Sequence, residues 1–235
     1  MIRNVVVPVL DGVFAFELGV LCEVFGIDRP DDPELPTFDF ALCTPTPGPV
    51  RTMSGFDLLV EHGLDRIAAA DLVALPAIQR GADVPAELVD ALRAAVARGA
   101  RVMSVCSGAF VLGAAGLLRG KRATTHWAYH HLLPRVGAIP EKARVVRDGH
   151  VFTGGGVTAG IDFAFTLMTE IAGPQHAQTV QLGLEYDPHP PFQSGSPSSA
   201  PHDIKATADQ RYAHRLTAFE EVLDRVTPRI PPKAR

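Results

Sequence analysis

Short β-branched apolar runs alternate along the chain with longer stretches whose apolar residues recur at three- and four-residue spacing. "VVVPVL" (Val5 to Leu10) is one such run, "DLVALP" (Asp71 to Pro76) and "RVMSVC" (Arg101 to Cys106) are others, and "FDFALC" (Phe38 to Cys43) alternates towards a further strand. Runs of this length, bounded by Gly, Pro or Asp, predict strands, most of them buried on both faces. Between them, "ELGVLCEVFG" from Glu17 predicts a helix stopped by Gly26. "PAELVDALRAAVARG" opens on Pro85, keeps helical spacing and closes on Gly99, the usual placing of proline and glycine at helix ends. "SGAFVLGAAGLLRG" follows directly on Cys106 and predicts another helix. "TAGIDFAFTLMTEIAG" predicts one more, with Ile161, Phe165, Met168 and Ala172 on one face.

The remaining segments read as connections and small elements. "RTMSGFDLLVE" predicts a hairpin or small sheet element, and "ARVVRDGHVFTGGG" a hairpin turning at Asp148 and Gly149. "RATTHW" enters a strand or loop, and "WAYHHLLPRV" a short helix or helical turn. From Glu185 to Pro201 the chain is rich in proline and serine and reads as loop. One amphipathic helix follows, with Tyr212, Leu216, Phe219, Leu223 and Val226 on a stripe. Strands alternating with helices predict an α/β fold: a doubly wound, mostly parallel sheet with helices on both faces. Residues 1–200 form the expected domain, and 201–235 a helix and tail packed on it or on a dimer partner. In such sheets ligands bind beyond the carboxyl ends of the strands. Both the segment leading to Glu17 and "SVCSG" (Ser104 to Gly108) fall at such ends.

Composition narrows the classes. The 235 residues are 46% hydrophobic and 20% charged, with a net charge of −4, so no global basic field recruits nucleic acid. Three cysteines (Cys22, Cys43, Cys106) without close spacing suggest neither a disulfide framework nor a metal pair, and a reducing compartment is the simpler expectation. The N-terminal apolar run is too short for a signal peptide, and no segment reaches the ~18 apolar residues of a membrane span. The reading is a cytoplasmic protein that binds neither nucleic acid nor membrane.

Candidate chemistry centres on Cys106. "SVCSG" is a small-x-nucleophile-x-Gly pattern, in which small neighbours allow a sharp, strained strand-to-helix turn. Such a turn aims the side chain above the sheet, near the start of a helix, where thiolate is favoured over thiol. The alternative is a cysteine packed like alanine. Glu17, after the first strand, is the candidate proton carrier, and equally an acid that complements its helix dipole. His126, in "ATTHW", is an auxiliary candidate or a hydrogen-bonded structural histidine. "TGGGVTAG" (Thr153 to Gly160) lacks the lysine and spacing of a phosphate loop; its glycines let backbone pass close to the site or to another chain. None of the nine histidines shows a metal-binding spacing, so no metal is expected.

These residues carry a resemblance. "VCSGAFVLGAAGLLRGKRATTHWAYHHLLPRVGAIP", "RVVRDGHVFTGGGVTAGIDFAFTLMTEIAG" and "LEYDPHPPFQSGSPSSAP" resemble the ThiJ/PfpI superfamily, of class I glutamine amidotransferase-like fold, and within it the isonitrile hydratases. "GVFAFELGVLCEVFG" resembles the amidase-like domain of AraC-type regulators, whose DNA-binding module is not matched here. The resemblance implies Cys106 as nucleophile and Glu17 as the acid that contacts it, where the hydratases usually carry aspartate. It places Ser107 where they have threonine. "LPAIQRG" (Leu75 to Gly81) stands where relatives have "VPGG", leaving the N–H groups of Ala77 and Ile78, with Gly108, as backbone candidates. Phe14, Phe16 and Trp127 are candidate pocket walls, or core. The implied reaction is hydration of an isocyanide to an N-substituted formamide without metal or organic cofactor. The competing readings are a glyoxalase, deglycase or amidase using the same cysteine and glutamate, and a non-catalytic small-molecule sensor. The expected partners are a small-molecule substrate and a second copy in a homodimer.

Overall fold

The computed structural model describes residues 2–29, 36–78 and 84–226. Among these residues the strands are β1 Asn4–Pro8, β2 Asp39–Cys43, β3 Gly48–Arg51, β4 Asp57–Val60, β5 Leu72–Leu75, β6 Arg101–Val105, β7 Arg122–Ala123, β8 Ile139–Pro140, β9 Val145–Asp148 and β10 Val151–Gly154. The α-helices among the described residues are α1 Ala15–Leu21, α2 Ala86–Ala97, α3 Ala109–Ala114, α4 Ala159–Ala172, α5 Pro174–Gly183 and α6 His202–Val226. The central sheet has the order β2-β1-β5-β6-β10-β9. All its pairings are parallel except β10 with β9, an antiparallel edge hairpin. The apolar runs that predicted strands are its central members: Val5, Val6 and Val7 of β1 and Leu72, Val73 and Ala74 of β5 are fully buried. A strand covered on both faces has no solvent side, so its sequence does not alternate.

The two faces carry separate cores. One gathers Leu88, Leu92, Phe110, Leu112, Tyr129 and Phe219 beneath α2, α3 and α6. The other gathers Leu18, Leu21, Met103, Phe163 and Leu167 beneath α1 and α4. The helix α6 is therefore seated on the first core: Phe219 and Leu223 are buried, and Tyr212 and Leu216 pack at its margin. The Val226 side chain lies outside the described residues.

Several elements differ from expectation. The helix expected from Glu17 starts at Ala15 and passes at Cys22–Gly26 into a π-helical turn. The helix after Cys106 opens as a 3-10 turn, Cys106–Gly108, and α3 ends at Ala114, because Gly116 and Gly120 both take positive φ. The segment Trp127–Val136, expected as a short helix or helical turn, takes the 3-10 form, with Pro134 inside it. The buried face of α4 is Phe163, Ala164, Leu167 and Met168, not the stripe through Ile161 and Phe165. Both of those expected positions are only half-buried, and the Phe165 ring lies against Tyr186 at 5.8 Å, off the core. The β9–β10 turn is Gly149–His150, since Asp148 still pairs with Val151. The helix α5 and the 3-10 segment Leu64–Ala69 carry no strong sequence period and were not expected.

Candidate functional site

The site is built at the carboxyl ends of β1, β5 and β6, where three consecutive connections meet. β6 ends at Val105, flanked by Leu75–Ser104 pairing on one side and Gly154–Val105 pairing on the other. The next residue, Cys106, has φ of 56°. A non-glycine residue there costs on the order of 1–2 kcal/mol and persists only where its surroundings fix it. Both backbone groups of Cys106 are fixed. Its N–H donates to Gly155 O at 2.9 Å, and its C=O accepts from Thr125 Oγ1 at 2.6 Å.

The small neighbours have distinct tasks. A Cβ on Gly108 would lie 2.6 Å from Leu75 O and 2.7 Å from Pro76 O, so only glycine lets the turn approach the end of β5. Ser107 is buried, and its Oγ donates to Ile78 O at 2.9 Å while accepting from Ile78 N–H at 3.1 Å. This corrects one expectation: the Ile78 N–H ties the loop to the Cys106 turn rather than facing a substrate. Ala77 belongs to the same loop, and its C=O accepts from the Phe14 N–H at 3.3 Å. Gln79, Arg80 and Gly81, which complete the expected backbone loop, lie outside the described residues. The loop thus joins the start of α1 to the cysteine turn.

Glu17 occupies the first turn of α1, 1% exposed. Among the described residues, neither carboxyl oxygen has a hydrogen-bond partner. Burial pushes its pKa from the ordinary 4.5 up to about 7, against a smaller lowering by its own backbone N–H. A carboxyl group in this state exchanges a proton near neutral pH, the property required of a general acid and base. Its neighbour Phe16 is half exposed, outside the packed interior, and Phe14 packs at the edge of the α1–α4 core.

His126 and Trp127 sit across the Thr125 connection from the cysteine. His126 is buried, its Nδ1 accepts from the Ala128 N–H at 3.2 Å, and its Nε2 lies 3.4 Å from the Tyr212 hydroxyl. It therefore caps the 3-10 segment and meets α6. A Cβ on Gly156 would stand 2.8 Å from His126 Cδ2, so the glycine run does let backbone pass close. His126 and Trp127 line a cleft of about 930 Å³ with Gly155, Gly156, Lys142, Lys205 and Tyr212. Neither Cys106 nor Glu17 lines it. The sequence reading did not single out Thr125 or Gly155, although a threonine pair and a glycine run at two strand ends were the available signals. Among the described residues, no three His, Cys, Asp or Glu side chains gather as a metal-binding group, and no helix is long and apolar enough to cross a membrane.

Comparison with known proteins places this geometry. The chain is 48% identical over 187 residues to an isonitrile hydratase of Pseudomonas putida, covering 77% of this chain and 81% of that one. It is 32% identical over 138 residues to the HTH-type transcriptional regulator CdhR of Pseudomonas aeruginosa, covering 57% of this chain and 40% of the regulator. A ThiJ/PfpI family protein from Pseudomonas syringae superposes with a TM-score of 0.86 at 30% identity, covering 95% of this chain and 91% of that one. The family model described as DJ-1/PfpI matches residues 3–170. With the parallel sheet and the strained cysteine turn, these matches establish that the chain belongs to the DJ-1/PfpI family.

Proposed function

We propose that the protein is a cysteine-dependent lyase that hydrates an isocyanide to an N-substituted formamide. The observation that carries this reading is the similarity to the Pseudomonas putida isonitrile hydratase. The buried, unpartnered Glu17 carboxyl on the helix tied to the cysteine turn supports it. In the first step the Cys106 sulfur bonds to the terminal carbon of R–N≡C as the Glu17 carboxylate takes the thiol proton and passes it to that carbon. The product is a thioimidate, Cys–S–CH=N–R. In the second step Glu17 carboxylate accepts a proton from water as its oxygen adds to the same carbon. Cleavage of the C–S bond, with protons returned to nitrogen and sulfur, releases R–NH–CHO and the thiol. The sum is one isocyanide and one water giving one formamide. A pKa near 7 suits a carboxyl that must donate in one step and accept in the next.

Ser107 acts here as a positioning residue, fixing the loop at Ile78. The competing carbonyl chemistry usually draws on a histidine near the nucleophile, and both ring nitrogens of His126 have other partners, the Ala128 N–H and the Tyr212 hydroxyl. The proposed assembly is a homodimer, in which a second copy covers the half-exposed Phe16, Met53 and Phe56; light scattering at a mass of two chains tests it. The proposed location is the cytoplasm, the reducing compartment expected for three widely spaced cysteines.

The test is incubation of the purified chain with an aromatic isocyanide, following the formamide by mass spectrometry. Turnover by the native chain and its loss in Cys106→Ala is the expected result. No turnover of isocyanides, with D-lactate formed from methylglyoxal, would replace the reading by the carbonyl one. Inactivity in both assays with saturable small-molecule binding would replace it by a sensor.

A further inference from the structure

The cleft of about 930 Å³ has a lining that the reaction proposed above does not use. It lies among the Trp127–Val136 segment, the glycine run after β10, the serine-rich chain at Ser196 and Ser198, and α6. Its volume is that of a small-molecule site. Part of the lining is aromatic: Trp127 and Tyr212 meet edge to face at 5.1 Å, and His126 stacks obliquely on Tyr212 at 5.1 Å.

The charges of the lining are unbalanced. Three cations, Lys142, Arg144 and Lys205, accompany one carboxylate, Asp209. Lys205 is paired with Asp209 at 2.6 Å and lies 5.9 Å over the Trp127 ring. Arg144 is paired with Asp162 and reaches Thr158 Oγ1 at 3.4 Å. Lys142 has no ion pair or hydrogen bond among the described residues. His130, on the same lining, keeps its Nε2 out of solvent without a partner among the described residues, a second sign of a polar surface left incomplete. An uncompensated ammonium lining the same cleft as an aromatic wall suits a ligand with a flat apolar body and a negative end.

We propose that this cleft is a binding site for a small aromatic carboxylate, its ring against Trp127 and Tyr212 and its carboxylate at Lys142. Neither Cys106 nor Glu17 lines the cleft, although its Thr125 and Gly155 hold the backbone of the cysteine turn, and the proposal does not rest on the isocyanide reading.

Trp127 is the chain's one tryptophan, so selective excitation of indole reports on the cleft alone. Titration of the full chain with phenylacetate should give a saturable change in emission. Phenylacetamide, of the same shape without the charge, should bind about fivefold more weakly, the scale of one partly solvated charge contact. Added salt should weaken the acid and leave the amide unchanged. Lys142→Gln, at an exposed position, should bring the acid down to the amide while circular dichroism stays native. Equal binding of acid and amide by the native chain would overturn the anionic assignment, as would a Lys142→Gln variant that binds phenylacetate like the native chain. No saturable signal in fluorescence or in calorimetry would overturn the site itself.

Discussion

Glu17 makes the stability of this protein depend on pH in a direction opposite to that of an ordinary surface carboxylate. Its pKa rises from 4.5 to about 7 because the carboxyl is desolvated, with both oxygens unpartnered. The folded chain therefore holds this proton more tightly than the unfolded chain. Between pH 4.5 and 7 the native state binds more protons at this group, so the group's contribution to stability falls as pH rises. It is complete below about pH 4.5 and lost above about pH 7. At ~1.4 kcal/mol per pH unit, the whole loss is about 3 kcal/mol. Replacement by glutamine removes the titration and keeps the size of the side chain. Urea unfolding of native and Glu17→Gln chains at a series of pH values from 5 to 8 isolates the effect, since other titrating groups are common to both. The difference in unfolding free energy should shift in favour of the variant by about 2–3 kcal/mol across that range, while its turnover is lost. Parallel curves for the two chains would refute the reasoning, because they would mean that Glu17 titrates alike in folded and unfolded states.

Three further outcomes follow from the same geometry. Gly108→Ala forces a methyl against two carbonyl oxygens and should cost about 1–3 kcal/mol together with activity; Gly19→Ala, in α1 with nothing within 4 Å, should be neutral or stabilising by about 0.5–1 kcal/mol, and equal behaviour of the two in thermal unfolding would sink the packing argument. Ser107→Ala leaves the buried N–H and C=O of Ile78 without their partner and should cost about 2–3 kcal/mol. Faster hydrogen exchange at the Ile78 amide is the check, and unchanged protection there counts against the role. Phe219→Ala removes a ring set edge to face with Phe110 at 4.6 Å and stacked on Tyr129 at 5.1 Å. It should cost about 3–5 kcal/mol in a single unfolding transition, and a loss below about 1 kcal/mol would mean that α6 is not an integral part of the core.

Central strands and the long helix α2 were legible because their signals are local. A strand covered on both faces must be apolar throughout, as Val5 to Val7 and Leu72 to Leu75 are, and a helix bounded by Pro85 and Gly99 carries its own ends. The buried face of α4 was misplaced because the segment is apolar nearly all round, so its own period does not choose between neighbouring faces. The break of α3 after six residues was missed because the glycines beyond it act through left-handed turns that need neighbouring chain to hold them.

At the site, Cys106, its small neighbours and Glu17 were singled out from order along the chain alone, since a strand-to-helix join with serine and glycine around a cysteine is a local pattern. What those residues do to one another was decided in three dimensions. Ser107 meets Ile78 across 29 residues and Cys106 meets Thr125 across 19. A free Ile78 N–H and a hydrogen-bonded one look alike in sequence. The raised pKa of Glu17 likewise belongs to no residue pattern, because it arises from water excluded by the packed sheet and helices around it. The sequence determined which groups stand at the carboxyl edge of the sheet, since strand order and helix ends are written in short-range apolar period and turn chemistry. Only the tertiary structure decided which of them are buried, bonded or left without a partner, because desolvation and hydrogen bonding depend on neighbours that are distant along the chain.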